Sequence, residues 1–67
     1  MEFHIIIPAR AKSKRLPGKN TKLLLGKPLI QYSIESALEI LKPSNIWVNS
    51  DDLNVIKIAK SLGVQTL

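Results

Sequence analysis

Short apolar runs alternate with stretches of helical periodicity along the whole of this 67-residue chain, and that alternation limits the folds open to it. Residues 3–9 read as a strand around the β-branched run Ile5-Ile6-Ile7. The run is continuous, not alternating, which predicts burial on both faces, as in a central parallel strand. Pro8 cannot donate a ladder hydrogen bond and marks the strand's end. Residues 28–41 carry Leu29, Ile30, Ile34, Ala37, Leu38 and Leu41 on one helical face. Pro28 suits the first helical turn and Pro43 lies just past the last. Residues 46–49 form a second strand. Residues 52–62 repeat the helical spacing through Val55, Ile56, Ile58, Ala59 and Leu62, and Gly63 is placed to end that helix. Residues 64–67 begin a third strand.

Strand, helix, strand, helix, strand predicts an α/β fold of right-handed βαβ units with a parallel sheet. Two helices cannot cover both faces of such a sheet, and the chain ends inside a predicted element. Residues 1–67 are therefore expected to be the N-terminal portion of one larger domain.

The interval from 10 to 27 shows neither period and is expected to be a long loop. It holds Arg10, Lys12, Lys14, Arg15, Lys19, Lys22 and Lys27, and much of the +5 net charge originates there. The second half of the chain is close to balanced. Such confinement points to one anionic ligand, whereas a long nucleic acid or a membrane surface would call for basic residues more widely spread. Three aromatics, Phe3, Tyr32 and Trp47, offer little for stacking bases. Tyr32 and Trp47 fall on predicted buried elements and are expected in the core. His4 has no catalytic partner at motif spacing and is expected to be structural or superficial. There is no cysteine, which removes disulfides, zinc–thiolate sites and a thiol nucleophile, and fits a reducing cytoplasm. No apolar run is long enough to span a bilayer, and no signal peptide is read at the start.

In parallel α/β sheets, ligands bind beyond the carboxyl ends of the strands, which is where the basic segment begins. The dinucleotide fingerprint is absent. The Walker pattern also fails, because Ser13 and Thr21 stand where it requires glycine before Gly18-Lys19 and Gly26-Lys27.

Ile7-Pro8-Ala9-Arg10, followed by Ser13-Lys14-Arg15-Leu16-Pro17-Gly18-Lys19-Asn20, resembles the opening signature of the acylneuraminate cytidylyltransferases. Gly26-Lys27-Pro28-Leu29-Ile30 with Tyr32-Ser33-Ile34-Glu35, and Val48-Asn49-Ser50-Asp51-Asp52, are similar to two later blocks of that family. The resemblance implies a Rossmann-like nucleotidyltransferase fold, of which this chain would be the βαβαβ start. It also implies attack of a sugar hydroxyl on the α-phosphorus of CTP, giving a CMP-linked nonulosonic acid and pyrophosphate. Mg²⁺ would assist, with its ligands expected beyond this chain, and the whole enzyme would be a cytoplasmic homodimer.

By the same resemblance, Arg10 and Lys19 would serve catalysis, and Arg10, Ser13, Lys19 and Asn20 would bind the nucleotide. The chemistry suits them. A triphosphate is strongly anionic, more charge develops on the leaving pyrophosphate, and fixed cations stabilise it where it develops. Arginine forks two phosphate oxygens, whereas lysine supplies a point charge. Two features set the chain apart. Ala11-Lys12 replaces a pair that commonly contains glycine. Asn20 stands where enzymes activating the eight-carbon acid Kdo usually carry proline, so that branch is the second reading. A third reading is a non-catalytic nucleotide-binding module. Asp51 and Asp52 are expected to cap a helix and not to bind metal.

Overall fold

The computed structural model describes residues 3–10 and 22–67. Strand β1 is Ile5–Pro8. Two short strands follow, β2 at Leu23–Leu24 and β3 at Lys27–Pro28, and then helix α1 at Leu29–Leu38. A 3₁₀ turn at Pro43–Asn45 leads into β4 at Ile46–Asn49. Helix α2 at Leu53–Ser61 precedes β5 at Gln65–Thr66. Strands β1, β4 and β5 form a parallel sheet in that order, with Ile5 paired to Ile46, Pro8 to Asn49 and Trp47 to Gln65. The expected α/β order and parallel sheet are thus present.

The core lies on one face of that sheet. Ala9, Ile46, Val48 and Val64 meet Ile30, Ile34 and Ala37 of α1 and Val55 and Ala59 of α2. The helices also touch each other, so both cover the same face. This corrects the expectation that β1 is buried on both sides. Its burial alternates, and Ile6 is 61% exposed on the face opposite the helices. Trp47, paired in register with Ile6, is half-buried there. Its Nε1–H donates to Nδ1 of the exposed His4 at 3.4 Å. Trp47 therefore sits outside the core, because its position in the strand alternates with those of the buried Ile46 and Val48.

Helix α1 is shorter than its apolar pattern suggested. At its end, Pro43 forces Lys42 into an extended conformation (φ −70°, ψ 156°), which closes off further helix. At its start, Pro28 is extended (φ −58°, ψ 141°) and belongs to β3, not to the first helical turn. The Leu29 N–H is bonded across to the Lys22 carbonyl at 3.0 Å, which holds the chain in the strand up to that point. Helix α2 ends as the sequence indicated. Gly63 takes φ +81°, its N–H bonds to the Lys60 carbonyl, and the Val64 N–H bonds to that of Ala59. This is the paired arrangement that satisfies the last carbonyls of a helix.

The antiparallel hairpin β2–β3 corrects the reading of residues 10–27 as loop throughout. Its turn, Leu25-Gly26, has positive φ at both positions (53° and 80°). Tight hairpins favour such turns, but asparagine or aspartate normally fills the first position, so the sequence signal was weak. Leu25 is 92% exposed and gains nothing from burial to offset its left-handed backbone. Leu25→Asn should therefore raise stability by roughly 1 kcal/mol. A urea midpoint that falls would show that Leu25 is held by contacts of its own.

Lys27, Tyr32 and Glu35 join the hairpin to α1. The Lys27 Nζ lies 2.7 Å from Glu35 Oε1 and 4.8 Å from the centre of the Tyr32 ring. Gln31 Nε2 donates to the other Glu35 oxygen at 3.0 Å, and the Tyr32 hydroxyl donates to the Leu24 carbonyl at 2.7 Å. Tyr32 thus serves this junction, which corrects its expected place in the core. The hydrogen bond from Lys27, aided by Gln31, lowers the Glu35 pKa below its ordinary 4.5, and the same bond raises that of Lys27 above 10.5. The Glu35 contribution is therefore present above pH 4.5 and lost as pH falls through the lowered value. The Lys27 contribution is present below pH 10.5 and lost as pH rises through the raised one.

Candidate functional site

The carboxyl ends of β1 and β4 open into a cleft of about 410 Å³ lined by Pro8, Arg10, Asn49, Ser50 and Asp51. Each wall follows from local sequence. Pro8 ends β1 beside Asn49, and the next residue, Ala9, is buried and donates its N–H to the Asn49 carbonyl at 2.9 Å. Arg10 is the first exposed residue after that anchor. Burying Ala9 in the core therefore sets the root of the arginine at the rim of the cleft.

The opposite wall is shaped by side chains bonding to backbone. The buried Ser50 accepts the Asp52 N–H on its Oγ at 3.0 Å. Asp52 in turn caps α2, its Oδ1 accepting the Asn54 N–H at 2.9 Å. The two aspartates thus differ in what they do. Asp52 fulfils the expected capping role, whereas Asp51 lines the cleft.

Of the residues singled out from sequence, Arg10 is placed in the cleft. Ser13, Lys19 and Asn20 lie outside the described residues. Asn49, Ser50 and Asp51 were not among the expected binding residues, although the strand-end rule that located the basic segment applies equally to β4. Their apparent explanation as turn and cap hid them. The cleft is lined by a guanidinium, an amide, a hydroxyl and a carboxylate, group types able to hold phosphate oxygens next to hydroxyl-bearing groups. Among the described residues, no three of His, Cys, Asp and Glu come together to hold a metal ion, and Asp52 is engaged at the helix cap. Among them, too, no helix is long and apolar enough to cross a membrane.

Known proteins with related sequences match nearly all of the chain. It is 48% identical over 63 residues to the CMP-N,N'-diacetyllegionaminic acid synthase of Legionella pneumophila, covering 94% of this chain and 27% of that protein. A pseudaminic acid cytidylyltransferase of Campylobacter jejuni is 48% identical over 60 residues, covering 90% of this chain and 26% of its own length. A 3-deoxy-manno-octulosonate cytidylyltransferase of Haemophilus influenzae is 45% identical over 65 residues, covering 97% and 25% respectively. The chain thus spans about a quarter of the length of these relatives. In three dimensions it superimposes on a CMP:2-keto-3-deoxy-manno-octonic acid synthetase complexed with CTP. The TM-score is 0.83 and the identity 37%, with all of this chain and 28% of that one covered. The sequence profile of the cytidylyltransferases matches residues 4–67, and the chain belongs to that family.

Proposed function

We propose that this chain supplies the nucleotide-binding start of a cytidylyltransferase that transfers CMP from CTP to a sialic-acid-like nonulosonic acid, releasing pyrophosphate. The observation that carries the reading is Arg10 at the rim of the strand-end cleft, in a chain of this family. In the proposed reaction the sugar hydroxyl attacks the α-phosphorus, and the bond to the pyrophosphate oxygen breaks. Arg10 donates to oxygens of the triphosphate and stabilises the charge that builds on the leaving group. Lys19, with Ser13 and Asn20, would extend that cradle, as the sequence motif implies. Mg²⁺ belongs to the proposal through the same resemblance.

Relatives that act on legionaminic and pseudaminic acids support a nonulosonic acceptor. The second reading, Kdo as acceptor, is supported by the Haemophilus relative and by the CTP-complexed synthetase. The test is pyrophosphate release by the native polypeptide with CTP and a panel of such acids. Release with nonulosonic acids is expected. Release with Kdo alone would establish the second reading, and none with any acid would overturn both.

A further inference from the structure

We propose that Ser50 and Asn49, at the carboxyl end of β4, hold the nucleoside part of CTP, with the Ser50 hydroxyl as a hydrogen-bond donor to it. The inference rests on the CTP reading above and extends it to the wall opposite Arg10.

Ser50 is 9% exposed, yet it lines the cleft. Its Oγ accepts the Asp52 N–H at 3.0 Å, which fixes the oxygen and takes up one lone pair. A hydroxyl also has a proton to donate, and among the described residues that proton meets no acceptor. Burial strips such a group of most of its water, so an unspent donor on a cleft wall suits the acceptor of a ligand. Asn49 is in a similar position. Its backbone carbonyl accepts the Ala9 N–H, but its exposed side-chain amide makes no hydrogen bond among the described residues. Asn49 continues the open face of Trp47, and Ser50, just past the strand, continues the buried side of Val48. Both line one cleft, so a ligand laid across the end of β4 meets a neutral polar group on either side.

The chemistry of this wall suits an uncharged part of the nucleotide. Phosphate oxygens need donors, and charged donors hold them best, which is what Arg10 brings to the β1 rim. On the β4 wall an amide and a hydroxyl donate and accept without charge, and the carboxylate of Asp51 supplies acceptors. Ribose hydroxyls and the edge of cytosine carry donors and acceptors together, which is the match for such a set. The sugar acceptor is itself an acid, and this wall has no cation for its carboxylate. Pro8, exposed at the end of β1, adds apolar surface, and a volume of about 410 Å³ lies in the range of small-ligand sites.

The test uses Asn49→Ala and Ser50→Ala in the native polypeptide. Asn49 is exposed and its side chain is unbonded among the described residues, so Asn49→Ala should leave the fold intact. Ser50→Ala also removes the acceptor of the Asp52 N–H, so Asn49→Ala is the variant that reads binding alone. Displacement of labelled CTP by cytidine and by inorganic tripolyphosphate is measured for each. The cytidine concentration required is expected to rise about fivefold to tenfold in both variants, the usual loss for one hydrogen bond, with tripolyphosphate within about twofold. Arg10→Ala should show the reverse pattern. Unchanged displacement by cytidine in both variants, or equal weakening of the two competitors, would overturn the inference. So would a higher KM for the sugar acid at unchanged CTP affinity, which would give this wall to the acceptor. If the unsubstituted protein binds CTP that cytidine does not displace, the inference alone fails. If it binds no CTP, the functional reading fails as well.

Discussion

Arg10→Ala in the native polypeptide is expected to lower kcat/KM for CTP at least about tenfold, equivalent to ~1.4 kcal/mol of transition-state free energy. The fold should not suffer, because Arg10 is exposed and the anchoring residue is Ala9. The far-ultraviolet spectrum and the urea midpoint should therefore match those of the unsubstituted protein. Arg10→Lys separates charge from geometry. It keeps a cation at the rim but cannot fork two phosphate oxygens, so it should recover only part of the loss. Steady-state pyrophosphate release decides the matter. Turnover by Arg10→Ala equal to that of the unsubstituted protein would remove Arg10 from the site, and the cleft would lose the residue that ties it to phosphate chemistry.

The largest effect on stability is expected from Ile34→Ala. Ile34 is 0% exposed at the middle of α1 and belongs to the cluster containing Ile46 and Val48. Truncating such a residue removes buried methyl groups and leaves a cavity, at a cost of about 2–5 kcal/mol. That is a large share of the roughly 5–15 kcal/mol that holds a domain together. Ile40→Ala is the matched control. The same atoms are removed just beyond the same helix, but Ile40 is 74% exposed, and the change should stay within about 0.5 kcal/mol. Urea unfolding of both variants gives the comparison. Equal losses would mean that α1 does not pack on the sheet through Ile34.

Much of this architecture was legible in the sequence because its signals are local and strong. The spacing of Ile30, Ile34 and Ala37 marks the buried stripe of α1, and Gly63 marks the end of α2 because it takes without strain a left-handed backbone that other residues resist. The departures have a common origin in neighbours distant in sequence. A run such as Ile5-Ile6-Ile7 states that the residues are apolar, but which face is covered depends on where both helices fall. Pro28 is compatible with either a helix start or a strand, and the bond from Leu29 to Lys22 decides for the strand. Tyr32 falls on a helix with a buried face, yet its hydroxyl donates to the Leu24 carbonyl of the hairpin.

The site divides along the same line. Arg10 was legible because a motif and a strand end coincide there. Asn49, Ser50 and Asp51 were less so, since Ser50-Asp51-Asp52 reads as a turn and cap, which Ser50 and Asp52 do provide. Only the pairing of Pro8 with Asn49 shows that this second strand end shares a cleft with the first.

The hydrogen bond from Ala9 to Asn49 bears on how such a site can change over time. Adjacent strands are spaced about 4.8 Å apart whatever their side chains. The two rims that emerge from β1 and β4 therefore inherit a gauge set by the backbone. Substitutions at Arg10, Asn49 or Asp51 would change the chemistry of the rims without resetting the width of the opening.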